Sequence, residues 1–341
     1  MTFFNTFRNN SIKIVCAFAA LLCLAAGPRA QAQDDPVVTV ESNLVLLNVG
    51  VADQKGRAIT NLTQSDFAVY EDGVRQSVVS FEPSTAPFSL VLLLDMSGST
   101  LNFRPTLKQS AVRFIDSLGP DDRVEVVAFN DKVQTLQQFT GDRREIAFAI
   151  NEAKGKGATN LYKALRHSLA SLSKEGKRRK AIVVLTDGLD TEERKLDGVA
   201  TSAAQTDAEA VATVKPDQSA ALRSVLDLAD RLGVTVYPLA LPSTDPKKML
   251  PFTPQQSAIY TAARTRMQTL ADRTGGRLHE IRRLEDMGRL YAEVAAEMRT
   301  LYSLAYQSSN ARPRDGKWRA VTIEVTRPDA IARSRPGYYA R

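Results

Sequence analysis

Residues 90–100 read LVLLLDMSGST. Five apolar residues run without a break into Asp95, and serines follow at 97 and 99. An uninterrupted apolar run is the pattern of a strand buried on both faces, as in a mostly parallel sheet covered by helices. In open sheets of that kind, ligands sit beyond the carboxyl ends of the strands, where strand order reverses. The run therefore delivers a carboxylate and two hydroxyls to the place where a ligand would be met. No lysine or histidine accompanies them.

The chain on either side supports that architecture. Residues 105–118 place Leu107, Val112, Phe114, Ile115 and Leu118 at helical spacing, with Pro105 suited to a first turn. Arg123–Phe129 and Val133–Phe139 are strands joined by the short Asn130-Asp131-Lys132 turn, a hairpin that adds one antiparallel edge. Residues 144–154 and 161–172 read as helices, 180–185 (KAIVVL) and 234–241 (VTVYPLAL) as buried strands, and 257–273 as a helix. A short strand over 277–281 and a long amphipathic helix over 284–302 complete the series. Strands alternating with helices predict an α/β fold with a doubly wound, mostly parallel, Rossmann-like sheet. Residues 197–218, rich in Ala, Thr, Ser and Asp, read as a surface insertion, and 242–254 as a proline-punctuated loop.

Both flanks are β-rich. Val37–Val51 alternates in part, and Glu71-Asp72-Gly73 between Phe67–Tyr70 and Val74–Phe81 is a hairpin cue. Residues 302–307, 318–326 and 333–339 read as strands at the other end. Neither flank alone offers enough strands to bury two faces. The expectation is one β-sandwich formed by N- and C-terminal flanking strands, with Trp318, Tyr338 and Tyr339 in its core. The expected organisation is a signal peptide over 1–32, an N-terminal β segment over 33–86, the α/β domain over 87–301, and a C-terminal β segment over 302–341.

The bulk numbers fit an ordinary globular chain of 341 residues, with 43% hydrophobic and 24% charged residues. Its beginning differs: Arg8 and Lys13 precede the apolar run Ile14–Ala26, and Ala30-Gln31-Ala32 offers a small-residue cleavage site. This is the pattern of a secretory signal peptide, too short for a comfortable membrane span. Both cysteines, Cys16 and Cys23, lie inside it, so the exported remainder has no disulfide or thiol chemistry. Its loss also removes Arg8, Lys13 and Arg29 and no acid, lowering the formal charge of +7 by three. That balance demands neither nucleic acid nor an anionic membrane as partner.

Three loops carry the candidate site. Asp95, Ser97 and Ser99 follow one strand, Thr159 stands in GATN at 157–160, and Asp187 follows another strand in TDG at 186–188. All these donors are oxygens, which suits a hard cation. Mg²⁺ takes about six oxygens at roughly 2.0–2.1 Å and keeps several waters. Alternation in Asp95-x-Ser97-x-Ser99 would aim the three side chains one way if the turn is extended, and Gly98 would permit a tight backbone. Asp190 and Asn160 read as supporting or helix-capping residues, and His167 and His279 as structural. The basic run 174–180 reads as a solvated loop.

Together these motifs resemble the metal-ion-dependent adhesion site (MIDAS) of von Willebrand factor type A (VWA) domains, as in integrin I domains. The resemblance spans about residues 88–301. The flanks are similar to a bacterial group of exported proteins with related A domains, through DFAVYEDG at 66–73, DGKW at 315–318 and RPGYY at 335–339. The stretch after Asp190 departs from that pattern. The resemblance implies a metal-dependent, adhesion-type protein-binding module. Mg²⁺, or Mn²⁺ in its place, would be held by Asp95, Ser97, Ser99, Thr159 and Asp187, and would take an Asp or Glu carboxylate from a partner protein. It also implies coupling between the site and the last helix, 284–302.

Two other classes remain open: a scaffold of a surface or periplasmic complex with a structural metal, and a Mg²⁺-dependent hydrolase. Phosphoryl transfer typically adds a second carboxylate and a Lys or Arg over the phosphate, and neither stands in these motifs. No phosphate-binding GxxxxGK[ST] loop is present. A serine hydrolase would want a histidine base. The expectation is therefore no enzyme, and a periplasmic or extracellular location.

Overall fold

The structure is a computed structural model and describes residues 44–242, 252–310 and 315–340. The expected signal peptide and most of the loop over 242–254 lie outside those residues. In chain order the elements are β1 (Leu44–Asp53), β2 (Phe67–Glu71), β3 (Val74–Gln76), β4 (Val78–Glu82), β5 (Phe88–Asp95), α1 (Arg104–Asp116), β6 (Arg123–Phe129), β7 (Val133–Thr140), α2 (Arg143–Glu152), α3 (Leu161–Leu172) and β8 (Arg179–Thr186). There follow α4 (Thr191–Ala200), α5 (Asp207–Thr213), α6 (Ala220–Leu232), β9 (Val234–Ala240), α7 (Pro254–Thr274), β10 (His279–Glu280), α8 (Met287–Met298), β11 (Leu301–Gln307), β12 (Trp318–Val325), β13 (Ala330–Arg333) and β14 (Gly337–Tyr339).

The central sheet has the order β10-β9-β8-β5-β6-β7. Every neighbouring pair is parallel except the β6–β7 hairpin, which supplies the antiparallel edge. All eight residues of β5 are buried. Leu90, Leu92 and Leu94 pack on one face with α1, α2 and α8, whereas Val91 and Leu93 pack on the other with α3 and α6. That two-residue period is why the run is apolar throughout. Strand order reverses at β5, since the chain adds β6 on one side and later returns to add β8 on the other. Asp95 therefore emerges at the switch point.

The flanks interleave. β1 lies between β11 and β13, and β2 lies between β12 and β3, so each four-stranded antiparallel sheet mixes strands from both ends of the chain. Val45, Leu47, Val49 and Val51 alternate inward from β1 and meet Phe67, Val69, Tyr302, Leu304, Tyr306 and Val321. The DFAVYEDG stretch now has a physical reading. The Asp66 carboxylate accepts from Thr63 N at 2.7 Å and closes the turn before β2. Phe67 and Val69 enter the core. Asp72 (φ 48°) and Gly73 (φ 80°) take the left-handed conformations of a tight hairpin turn. Glu71 is buried and accepts from Tyr306 Oη at 2.7 Å, Ser308 Oγ at 2.6 Å and Tyr338 Oη at 2.9 Å, joining the two sheets.

Several expectations change. The helix expected over 284–302 is α-helical only over Met287–Met298, and Leu301 and Tyr302 open β11, which pairs with β1. The strand expected over 277–281 is two residues long. The stretch 197–218 is not featureless: it holds the end of α4 and all of α5. Ala204, Ala210 and Val214 pack there on Ala258 and Ala262 of α7. Helix α6, with Leu222, Val225, Leu226 and Ala229 buried, covers a stretch to which the sequence reading assigns no element. Trp318 is not in the sandwich core. Its ring lies under the Arg273 guanidinium at 4.5 Å and meets Tyr339 edge-on at 5.1 Å, on the side facing α7.

Replacing Glu71 with alanine leaves three hydroxyls, those of Tyr306 and Ser308 buried and that of Tyr338 half-buried, without their acceptor. We expect Glu71→Ala to cost about 3 kcal/mol of stability and Glu71→Gln to cost less, measured by urea unfolding. A loss within error of zero for Glu71→Ala would remove this residue as the link between the sheets.

Candidate metal site

Asp95 ends β5 and Thr186 ends the adjacent β8, both fully buried. The Asp95 carboxylate is held at both oxygens: Ser97 N donates to Oδ1 at 2.9 Å, and Thr186 Oγ1 donates to Oδ2 at 2.7 Å. Thr186, at the end of the strand before Asp187, is not among the five residues expected to hold the metal. Its signal is its place, a hydroxyl at the end of the strand beside β5.

The turn after Asp95 is tied down by its own donors. Thr100 Oγ1 donates to Asp95 O at 2.9 Å and to Ser97 O at 3.0 Å. Arg104 Nη2 donates to Met96 O at 2.6 Å and to Ser97 O at 3.0 Å. The turn is not extended throughout: Ser97 is extended, and a 3₁₀ helix begins at Gly98 and runs to Phe103. Even so, Ser97 Oγ and Ser99 Oγ lie 3.1 Å apart. Gly98 has no positive φ, and a Cβ there would make ordinary contact at 3.6 Å with Gly157 O. The conformational reason expected for this glycine is absent. Gly188 does need to be glycine, with φ +83° and Met267 filling the space a Cβ would take.

Asp187 lies one residue beyond β8 and is 3% exposed. Its Oδ1 accepts from Leu189 N at 3.0 Å, and the buried Oδ2 has no hydrogen-bond partner among the described residues. Burial raises the Asp187 pKa, outweighing the Leu189 N–H, the Ser99 hydroxyl and the Arg264 and Arg194 charges, which favour its ionised form. Burial first, and the Asp187 charge second, push Asp95 up to about 7. Asp95, Ser97, Ser99 and Asp187 are therefore brought together.

Thr159 is 7% exposed and is placed by its backbone. Its N–H donates to Thr191 Oγ1 at 2.9 Å, and its carbonyl accepts from Thr191 N at 2.9 Å. Gly157 O accepts from Gly98 N at 3.1 Å, so the three loops share one backbone network. Among the described residues the Thr159 hydroxyl makes no hydrogen bond to the other four. Asp190 caps α4 by accepting from Glu192 N at 3.0 Å. Asn160 Nδ2 donates to Asp131 O at 2.7 Å. His167 faces Thr135 Oγ1 at 2.9 Å, and His279 is buried 3.8 Å from Glu293. Neither histidine touches the site.

Residues 90–189 match the von Willebrand factor type A domain family. This stretch is a von Willebrand factor type A domain. The chain is 35% identical over 107 residues to an uncharacterized protein of Synechocystis sp., covering 30% of this chain and 25% of that protein. It is 29% identical over 123 residues to the human voltage-dependent calcium channel subunit alpha-2/delta-4, covering 31% of this chain and 11% of that subunit. The chain thus corresponds to a quarter or less of these relatives. Among solved structures, a von Willebrand factor type A protein from Catenulispora acidiphila has a TM-score of 0.46 at 13% identity, covering 88% of this chain and 74% of that one. Proximal thread matrix protein 1 from the mussel byssus, with a zinc-occupied MIDAS motif, has a TM-score of 0.44 at 13% identity, covering 66% and 49%.

Among the described residues no three His, Cys, Asp or Glu side chains gather at one point. The A-domain site differs in kind, with two carboxylates and the rest hydroxyls. Two buried carboxylates without a cationic side chain in contact are costly when both are charged. Below pH about 4 Asp95 is protonated whether the chain is folded or not. Between 3.8 and about 7 only the folded chain keeps the proton. Folding takes up a proton in that window, so metal-free stability falls as pH rises through it. We expect the melting temperature in EDTA to drop between about pH 5 and about pH 7, and the drop to shrink in Asp95→Asn. Identical slopes in the two proteins would contradict this charge assignment.

Proposed function

We propose that the A domain is an exported, metal-dependent protein-binding module whose site holds Mg²⁺, with Mn²⁺ able to replace it. The carrying observation is the pair of buried carboxylates, Asp95 and Asp187, with the Asp187 Oδ2 atom left without a hydrogen-bond partner among the described residues. Buried charges are normally paired or coordinate a metal. Two carboxylates balance a divalent charge, and an all-oxygen donor set suits a hard ion over a soft one. Asp95, Ser97, Ser99, Thr159 and Asp187 would hold it.

When bound, the ion supplies an electrophilic position that accepts a carboxylate oxygen from an Asp or Glu of a partner protein. The chain's own residues set the conditions for this. Thr186 and Ser97 N fix both oxygens of Asp95. Arg104 and Thr100 lock the carbonyls of the first turn, so its hydroxyls stay in place. The neutral hydroxyls add no negative charge, so the ion keeps its pull on an outside carboxylate. Domains of this family are generally interaction modules without enzymatic activity, often with a metal site. Among the described residues no helix is long and apolar enough to cross a membrane. Export rests on the leader-like pattern of residues 1–32.

The reading predicts that millimolar Mg²⁺ raises the melting temperature through linkage, by an amount that grows with metal concentration. Thr159→Ala should weaken the effect and Asp95→Ala should abolish it. Partner retention separates adhesion from a structural metal. If a bound partner survives both substitutions and EDTA while the thermal shift persists in wild type, the metal is structural and the adhesion reading fails.

A further inference from the structure

Cations on separate elements stand beside the site's loops. On one side is the loop between α2 and α3, Lys154-Gly155-Lys156-Gly157, with both lysines exposed. Its backbone lies on the Asp95 turn. A Cβ at Gly155 would sit 2.8 Å from Met96 O, Gly157 O accepts from Gly98 N at 3.1 Å, and Lys156 O accepts from Asn130 Nδ2 at 3.0 Å. The two lysines therefore flank the turn that carries Ser97 and Ser99. Lys108 continues the basic rim: burial lowers its pKa, and repulsion from Arg104 and Lys154 lowers it further. On the other side, exposed Arg194 on α4 and half-buried Arg264 on α7 are close enough to Asp187 to favour its charge.

The acids on the Arg194 side are largely engaged. Glu192 pairs with Lys195 at 2.7 Å, Glu193 and Asp197 pair with Arg266 at 3.3 Å and 2.6 Å, and Asp190 caps α4. Glu152 and Asp131 are exposed near the lysine loop, and Glu152 acts on Lys108. Lys154, Lys156 and Arg194 form no ion pair among the described residues. Apolar points share the rim. Leu101, two residues past Ser99, is 53% exposed, and Phe252 is 36% exposed with its ring 4.7 Å from that of Tyr260. Tyr260 is near both Arg194 and Asp187. A rim that mixes cations with isolated apolar side chains fits a folded or peptide partner better than a polyphosphate backbone, which would leave Leu101 and Phe252 bare.

We infer that this rim selects a protein segment in which the metal-seeking carboxylate is flanked by further acidic residues, met by Lys154 and Lys156 on one side and by Arg194 on the other. The inference rests on the metal-binding reading above. Unpaired rim charges act mainly on selectivity and association rate, and their effect is screened by salt.

The test uses purified protein in Mg²⁺ and two synthetic peptides of equal length, one with a single Asp among Gly and Ser, the other with that Asp flanked by Glu on both sides. Fluorescence polarisation should show the acidic peptide binding about tenfold tighter at low salt, with the ratio shrinking as salt rises. Lys154→Gln/Lys156→Gln should reduce the ratio several-fold, and Lys154→Arg/Lys156→Arg should preserve it. Equal affinities for the two peptides, or a ratio untouched by the glutamine changes, would overturn the inference while Mg²⁺-dependent binding of the single-Asp peptide upheld the metal reading. Preference for the acidic peptide that persists in EDTA would uphold the rim and refute the metal reading. Tighter binding of a DNA duplex or of anionic vesicles than of the acidic peptide would overturn the choice of a protein partner.

Discussion

The structure turns on two carboxylates buried side by side. Asp95 and Asp187 stand at the ends of β5 and β8, adjacent parallel strands at the point where strand order reverses. Among the described residues no cationic side chain forms an ion pair with either one. An apolar sheet interior offers little to offset such charges. The surrounding hydroxyls and N–H groups do part of it: Thr186 and Ser97 N hold Asp95, and Leu189 N and Ser99 act on Asp187. Among the described residues one oxygen of Asp187 remains without a hydrogen bond. On the proposed reading, a divalent ion completes the set.

The remaining architecture serves to hold that pair steady. The first turn is clamped by Arg104 and Thr100, the second loop by Thr191 and Gly98 N, and the third by the glycine at 188 packed on Met267. The sandwich is fastened to the α/β part through buried contacts. Arg335, just before β14, reaches Asp230 of α6 at 2.8 Å, and Asn48 of β1 reaches Thr235 of β9 at 2.8 Å. Arg179 of β8 donates to the carbonyl of Leu301 in β11 at 2.5 Å and lies over the Phe88 ring at 3.9 Å. These contacts lie at the opposite ends of the strands from Asp95 and Asp187.

Much of this was legible in the sequence because each signal had one physical cause. An unbroken apolar run ending in Asp95 means a strand buried on both faces. Asp72-Gly73 between β-rich runs means a tight hairpin. The failures also have causes. The apolar spacing Leu290, Val294, Met298, Leu301 continues in helical phase past the true end of α8, so the start of β11 carries a helical pattern. Pairing with β1, a long-range contact, decides that boundary. The 3₁₀ turn at 98–103 and the role of Thr186 depend on hydrogen bonds between loops, which spacing alone does not show. The packing of α5 on α7 runs through Ala–Ala contacts, which give little apolar signal.

The most direct test of the central claim is a calorimetric titration of metal-free protein with Mg²⁺, comparing wild type with Asp187→Asn. The account predicts one site per wild-type chain and a large loss of affinity in the variant, with the fold retained. Equal binding by both proteins, or no binding by wild type at millimolar Mg²⁺, would contradict it.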